Sequence, residues 1–451
     1  MIKKLMLLAA TALAAPAMAQ DADNGADLGA AVEADYAENL EALFLDFHRN
    51  PELSYRETRT AGIIASQLRA LGIEVTEGVG GTGVVGVLEN GEGPTILVRA
   101  DMDGLPLAED SGLAYASTAR QTGIDGVEAP VMHACGHDVH ITSLIGSARQ
   151  LVRLRDRWNG TIVFIAQPAE ERIGGARAMM EDGLYERFPR PDYALAFHVS
   201  ADTPTGRIEL QPGLVASSSD SVDIVIHGVG AHGAYPHMGK DPIVMGAEII
   251  MALQTLVSRE ISPLSPGVVT VGAFHGGIKH NIISDRAEMQ LTVRSNDQTV
   301  RETLLAGIRR IAENVGRMNG LPEDQLPEVT VSNEATPPTI NDAALAARVH
   351  SAMAAALGDE TILPPAPQTG MGAEDFAYFV QPDTGVRGVY FSVGGTPQEV
   401  IDAAENGGPP VPSHHSPFFR ITPEPAVTLG TEAMVIAVLD LLAPGTETPA
   451  D

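Results

Sequence analysis

Apolar residues recur at helical spacing through residues 36–71, in the stretches YAENLEALFLDFHRN and ETRTAGIIASQLRALG, and the pattern stops at Gly72, a common helix terminator. TGVVGVLEN then reads as a strand, GEG as a turn, and PTILVRADMD as an apolar run of strand length that ends in acids. ITSLIGSARQLVRLRDRW reads as a helix, TIVFIAQPAEE as a buried strand, GARAMMEDGLYE as a helix and YALAFHVS as a strand. Apolar strands alternating with helices predict an α/β fold with a largely parallel sheet and helices on both faces.

The pattern changes near Ser217. SDSVDIVIHG alternates like a strand, DPIVMGAEIIMALQTLVSREI is a long helix, and VVTVGAFHGG and AEMQLTVRS are strands. TVRETLLAGIRRIAENVGRMNG is another helix and EVTVSNEA a strand, which gives the split βαβ order of a small ferredoxin-like α+β sandwich. Helical and strand patterns resume after Pro337, with a Pro/Gly-rich loop expected over 394–413. The predicted architecture is a catalytic α/β domain in two parts, 20–216 and 336–451, interrupted by a smaller lid domain over 217–335. A chain of 451 residues exceeds what one core organises, which agrees with two domains.

The first nineteen residues stand apart from this pattern. MIKKLMLLAATALAAPAMA carries two lysines, an apolar run and the small-x-small sequence Ala17-Met18-Ala19, the signature of a cleavable signal peptide with a mature chain starting near Gln20. The run is too short for a spanning helix, so the expectation is an exported protein, periplasmic or secreted, with no membrane association after cleavage. With 29 Lys+Arg against 58 Asp+Glu the net charge is −29, and losing Lys3 and Lys4 makes it −31. Such a field repels nucleic acid and anionic membranes, and no basic stripe opposes it.

An oxidising compartment gives Cys135, the only cysteine, no internal partner. It sits in VMHACGHD, between His133 and His137. Ligands gather beyond the carboxyl ends of strands in an open α/β sheet. Asp101 and Asp103 end ILVRADMD, Glu170 and Glu171 follow TIVFIAQ, His198 ends ALAFH, and Cys135 and His137 lie in a loop expected just before a helix returning to that sheet. Singly, each has a bland explanation as a turn former, a solvated acid or a core histidine. Together they interrupt apolar runs at one edge, which favours a metal centre. A Cys135–His137 nucleophile and base pair lacks an orienting third group, and a zinc finger needs more cysteines. GTGVVG at 81–86 matches a dinucleotide-binding glycine pattern but precedes a strand, so it reads as a hairpin turn.

RADMDGLPLAED, MHACGHDVH, AQPAEERIGGARAM, FHVS, GVGAHGAYPH, HNIIS, GAEDFAYF and HHSPFF occur in this order. Together they resemble the aminoacylase and hippurate-hydrolase branch of the dinuclear metallopeptidase family, which also holds the plant auxin-conjugate amidohydrolases. The resemblance runs from about residue 40 to 440. It implies two divalent ions, zinc or manganese, with nickel or cobalt also compatible with the donor types. It further implies that the Cys135 thiolate bridges the ions, with His137, Glu171, His198 and His415 as further ligands and His414 as the alternative to His415. Asp103 would orient a ligating histidine. Asp101 stands where relatives carry a histidine ligand and is left out of the metal set. Glu170 would be the general base. His232, reaching into a partner subunit, would stabilise the oxyanion, and Asn281 would contact substrate. The implied function is hydrolysis of N-acyl amino acids by a homodimer joined through the lid. The alternatives are a dipeptidase or carboxypeptidase with the same centre, and a non-catalytic metal- or peptide-binding protein.

Overall fold

Thr95–Asp101, Gly160–Gln167, Tyr193–Pro204 and Arg387–Thr396 run parallel at the centre of an eight-stranded sheet in the computed structural model, which describes residues 27–445. The signal segment expected over 1–19 lies outside the described residues. In spatial order the strands are Glu74–Val79, Gly83–Asn90, Gly160–Gln167, Thr95–Asp101, Tyr193–Pro204, Arg387–Thr396, Ile208–Glu209 and Ile362–Leu363. The first two form the hairpin around GTG and are antiparallel. Helices cover both faces, so the central strands read as continuous apolar runs rather than alternating ones.

Alternation along Thr95–Asp101 assigns each residue to a face. Val98 joins Phe164, Leu195 and Phe391 beneath the helices His137–Arg153, Ala343–Leu357 and Pro423–Leu441. Leu97 joins Val163, Ala194, Phe376 and Phe379 on the other face. Two elements differ from the pattern in the sequence. GARAMMEDGLYE breaks into Gly175–Glu181 and Leu184–Arg187, because Gly183 takes φ +82° between them. The stretch expected as a loop over 394–413 contains the end of the strand Arg387–Thr396 and a helix, Gln398–Glu405.

A second, antiparallel sheet holds Gly267–Gly276, Arg286–Ser295, Ser219–His227 and Glu328–Thr336 in that order. Pro242–Thr255 and Gln298–Met318 bury Met245, Ile249, Leu253, Leu304 and Ile308 against Val222, Ile224, Met289 and Leu291. Asp241 accepts the Ile243 and Val244 amides and Pro242 takes the first helical position, a strong start signal. Pro242–Glu260 is long and apolar enough to cross a membrane by length and composition. Its Met245, Ile249, Leu253 and Leu256 face, however, forms part of this core.

The helix expected from Ile141 begins at His137, which places that histidine on its first turn. Gly136 makes this start possible. Its φ is +82°, and a Cβ there would lie 2.2 Å from Val199 Cγ1, so both the backbone and the neighbouring strand require glycine.

The first turn of this helix is also tied from outside. His48 Nδ1 lies 2.7 Å from Asp138 Oδ2 and Nε2 lies 3.2 Å from Glu109 Oε1. Burial opposes charge on this imidazole, but the hydrogen bonds to Asp138 and Glu109 push its pKa up to about 9. The folded value exceeds the unfolded one, so the stabilisation is complete below about pH 6.5 and is lost as pH rises through 9. Thermal melts of the protein and of His48→Gln should therefore converge between pH 6.5 and 9. A gap in Tm that is constant or widens over that range contradicts the assignment.

Candidate metal centre

The parallel strands deliver their carboxyl ends to one edge, where a cavity of about 780 Å³ is lined by Cys135, Glu170, Glu171, His198, His414 and His415 among others. Cys135 ends the loop that Gly136 turns into the helix. Glu170 and Glu171 sit in a tight turn after Gly160–Gln167, entered through Ala169 at φ +51° and left through Ile173 at the same φ. Non-glycine residues at positive φ are strained and need outside support. Two buried carboxylates supply it. Glu57 Oε1 accepts the Ala169 amide at 2.8 Å, and Asp103 accepts the Glu170 amide at 3.0 Å and the Glu171 amide at 3.1 Å. Ser54 and Thr82 donate to Asp103 and Glu57 in turn.

His137 is fully buried, and its Nδ1 lies 3.3 Å from Asp103 Oδ1 without the alignment of a hydrogen bond. Its Nε2 is 3.8 Å from Glu171 Oε1 and 3.9 Å from Glu170 Oε2. Both His137 nitrogens and Glu171 Oε1 are buried with no hydrogen-bond partner. An unsatisfied buried polar atom is costly, and His137 Nε2 and Glu171 Oε1, facing one another 3.8 Å apart, fit a cation between them. Without a cation, burial opposes charge on His137 but Asp101, Asp103 and Glu171 raise its pKa to about 10. Burial and the carboxylates of Glu171 and Glu170 push the Cys135 thiol well above its ordinary range. A divalent ion would reverse both effects.

Hydrogen bonds fix which histidines have a free lone pair, with tautomers assigned from their partners. His198 Nδ1 donates to the Val199 carbonyl at 2.6 Å, which leaves the Nε2 lone pair facing Cys135 Sγ at 3.3 Å. Burial lowers the pKa of His198 and keeps it neutral, as a ligand must be. His414 has the opposite arrangement. Its Nε2 accepts the Ala201 amide at 3.1 Å, so Nδ1 carries the proton and points at Cys135 Sγ from 3.7 Å. That ring can donate to the sulfur but has no lone pair left for an ion. His415 Nε2 lies 3.2 Å from Glu171 Oε2, on a backbone at φ +62°.

Cys135, His137 and His198 form one group with ligand atoms within 4.8 Å of one another, and Cys135, Glu171 and His415 form a second. The sulfur is common to both, and the donor set of thiolate, imidazole and carboxylate suits two divalent ions. Asp101 lies 3.8 Å from His137 Nε2 and forms a further group with it and His140, but both of its oxygens are engaged by hydrogen bonds. It accepts from Arg99 at 2.7 Å and from His140 at 2.5 Å, and His140 Nε2 in turn accepts the Val199 amide. Arg99 also reaches Glu374 at 2.8 Å and Asp375 at 3.3 Å.

His232 and Asn281 stay outside the cavity. His232 ends the short strand Ala231–His232, which pairs with Ile282–Ile283, and Asn281 precedes that second strand; the Gly233 amide donates to the Asn281 carbonyl and the Ala234 amide to His232 Nδ1. Both are exposed. The sequence reading missed Glu57, His140, Glu374 and Arg294. His140 was visible inside MHACGHDVH, but a histidine three residues after a ligand carries no signal of which backbone amide it meets. Arg294, on the strand Arg286–Ser295, is the only Lys or Arg among the described residues lining the cavity.

Comparison with known proteins identifies the family. Residues 97–406 match the profile described as Peptidase family M20/M25/M40. Thermostable carboxypeptidase 2 of Saccharolobus solfataricus is 38% identical over 381 residues, covering 82% of this chain and 88% of the relative. Hippurate hydrolase of Campylobacter jejuni is 40% identical over 297 residues, covering 65% of this chain and 73% of the relative. A crystal structure from Bacillus subtilis, described as a dinuclear metal-binding peptidase of the M20 family, superposes with a TM-score of 0.70 at 28% identity, covering 91% of this chain and 99% of that one. The profile match, these identities and a fold held in common over most of the chain place the protein in peptidase family M20/M25/M40.

Proposed function

We propose that the chain is an exported, metal-dependent amidohydrolase that cuts the amide of an N-acyl amino acid, releasing a carboxylic acid and the free amino acid. The observation that carries this reading is the set of orphaned donors, His137 Nε2 and Glu171 Oε1, with Glu170 beside them. Cys135, His137, Glu171, His198 and His415 would hold the ions, with Cys135 common to both groups of ligand atoms. Zinc or manganese is the proposed metal, since soft sulfur and imidazole stand beside hard carboxylates. Two divalent ions there would lower the pKa of a shared water and polarise the scissile carbonyl.

Glu170 takes a proton from the attacking water and hands it to the leaving amine. Without a cation, burial and the nearby Glu374 and Glu171 raise its pKa well above the ordinary carboxylate range. Asp103 and Glu57 hold the turn that aims Glu170, and Asp101 with His140 holds the Val199 amide, beside the Val199 carbonyl that His198 meets. Arg294 offers a guanidinium to the free carboxylate of the substrate. A carboxypeptidase reading is supported by the relative of that name, because a peptide's C-terminal carboxylate would meet the same arginine.

A homodimer joined through the second sheet is proposed for the oxyanion contact. That region, taken as a lid over 217–335 between catalytic segments 20–216 and 336–451, exposes Val244 at 51% and Met251 at 70% on one helix. The strand Gly267–Gly276 is an open sheet edge beside it. His232 and Asn281 lie outside their own cavity, so a partner's lid is the proposed route by which they reach substrate.

Glu170→Gln should lower kcat on N-acyl amino acids by about 10²–10⁴-fold with metal content unchanged; unaltered hydrolysis would remove Glu170 as the base and favour a binding protein. Chelation should abolish hydrolysis of hippurate, N-acetyl amino acids and dipeptides alike, and zinc or manganese should restore it. The restored panel separates an aminoacylase from a peptidase, and activity that survives chelation contradicts the metal reading. Glu170→Gln and His232→Ala chains, each weak alone, should regain activity when co-assembled, because one site then has Glu170 and a partner's histidine. No recovery in a mixed dimer contradicts action in trans.

A further inference from the structure

The cavity contains an exposed carboxylate that the proposed chemistry does not use. Glu209 lines it on the short strand Ile208–Glu209, level with the metal centre: Ser392 is opposite His198 on one side and opposite Glu209 on the other. Residues directly opposite one another project from the same face of a sheet, and all three line the cavity. Two strand spacings put the Glu209 backbone about 10 Å from that of the proposed ligand His198.

Its carboxylate is anchored at one oxygen only. Thr203, 1% exposed, donates to Oε1 at 2.6 Å and also meets Ser200 Oγ at 2.8 Å. No Lys or Arg among the described residues pairs with Glu209, and no group donates to Oε2. The other acids of the cavity are engaged, Glu374 with Arg99 and Tyr390, and Glu170 and Glu171 in the centre. The wall Leu363–Gly372 begins beside Glu209, where Leu363 pairs with it, and ends against Arg294, which donates to the Met371 carbonyl at 3.4 Å. Between these ends it presents Pro364, Pro365, Ala366 and Pro367, an apolar path from an anion to a cation.

We propose that Glu209 is a specificity residue that receives a primary ammonium or guanidinium borne on a flexible chain of the amide substrate, while Arg294 holds the substrate's carboxylate. The preferred substrates are then cationic N-acyl amino acids, a narrower class than the amidohydrolase reading on which this rests. Both side chains reach into the cavity from backbones about 10 Å apart, so a short flexible stem carrying a compact charge can lie between the centre and Glu209. A solvated surface acid, the alternative, predicts no discrimination between charged and neutral chains.

The test uses two matched pairs on the metal-loaded enzyme. Nα-acetyl-lysine against N-acetyl-norleucine places the charge on the amino-acid side, and 6-aminohexanoyl-glycine against hexanoyl-glycine places it on the acyl side. One pair should show at least about a tenfold preference in kcat/KM for its cationic member, equivalent to about 1.4 kcal/mol. Glu209→Gln should bring that ratio to near one, and Glu209→Lys should invert it in favour of neutral chains. A ratio near one in both pairs, or a preference that survives Glu209→Gln, overturns the inference. Hydrolysis of neither member of either pair overturns the amidohydrolase reading with it, whereas equal hydrolysis of both overturns this inference alone.

Discussion

Glu57, Asp101, Asp103, Glu170, Glu374 and Asp375 are all buried at one end of the parallel sheet, and the only buried Lys or Arg among the described residues is Arg99. Taking carboxylates out of water is expensive unless each finds a partner or a proton. Arg99 serves Asp101, Glu374 and Asp375. Backbone amides serve Asp103 and Glu57. What remains uncompensated is the group around Glu170, Glu171, His137 and Cys135, and this is where the proposed cations belong. The same imbalance explains the protonation of the metal-free centre, with His137 and the Cys135 thiol both raised.

The surrounding structure turns this charge problem into geometry. Asp103 and Glu57 use their hydrogen bonds on three successive amides of a strained turn, and so hold two adjacent glutamates beside His137 Nε2. Asp101 orients His140, which accepts the Val199 N–H, while the Val199 carbonyl accepts from the ring of His198. Supporting partners of this kind tune ligands as strongly as the ligands' own identity does. His48 and Asp138 pin the first turn of the helix that carries His137, and Gly136 lets that turn pass against Val199.

Much of this arrangement was legible in the sequence because strand periodicity is local. The runs ILVRADMD, TIVFIAQ and ALAFH each end in a polar residue, and parallel order brings those ends to one edge. The strand and helix order of the second sheet followed from alternation and helical spacing in the same way. What was not legible depends on long-range pairing. Whether His414 or His415 has a free lone pair is decided by the Ala201 amide, more than 200 residues away in sequence. Glu57 supports Ala169 from 112 residues away, and Arg294 meets the cavity only once its strand has paired. The helix Gln398–Glu405 escaped because the prolines and glycines around it carry strong turn signals. Gly183 split a helix whose apolar pattern continued past it.

The central claim is that one sulfur joins two cations. An anomalous difference map from crystals of the protein loaded with zinc tests it most directly. The account predicts two peaks, both within about 2.3 Å of Cys135 Sγ, one also near His137 or His198 and the other near Glu171 or His415. Peaks that leave the sulfur untouched, or a loaded crystal with no peak in the cavity, would contradict it.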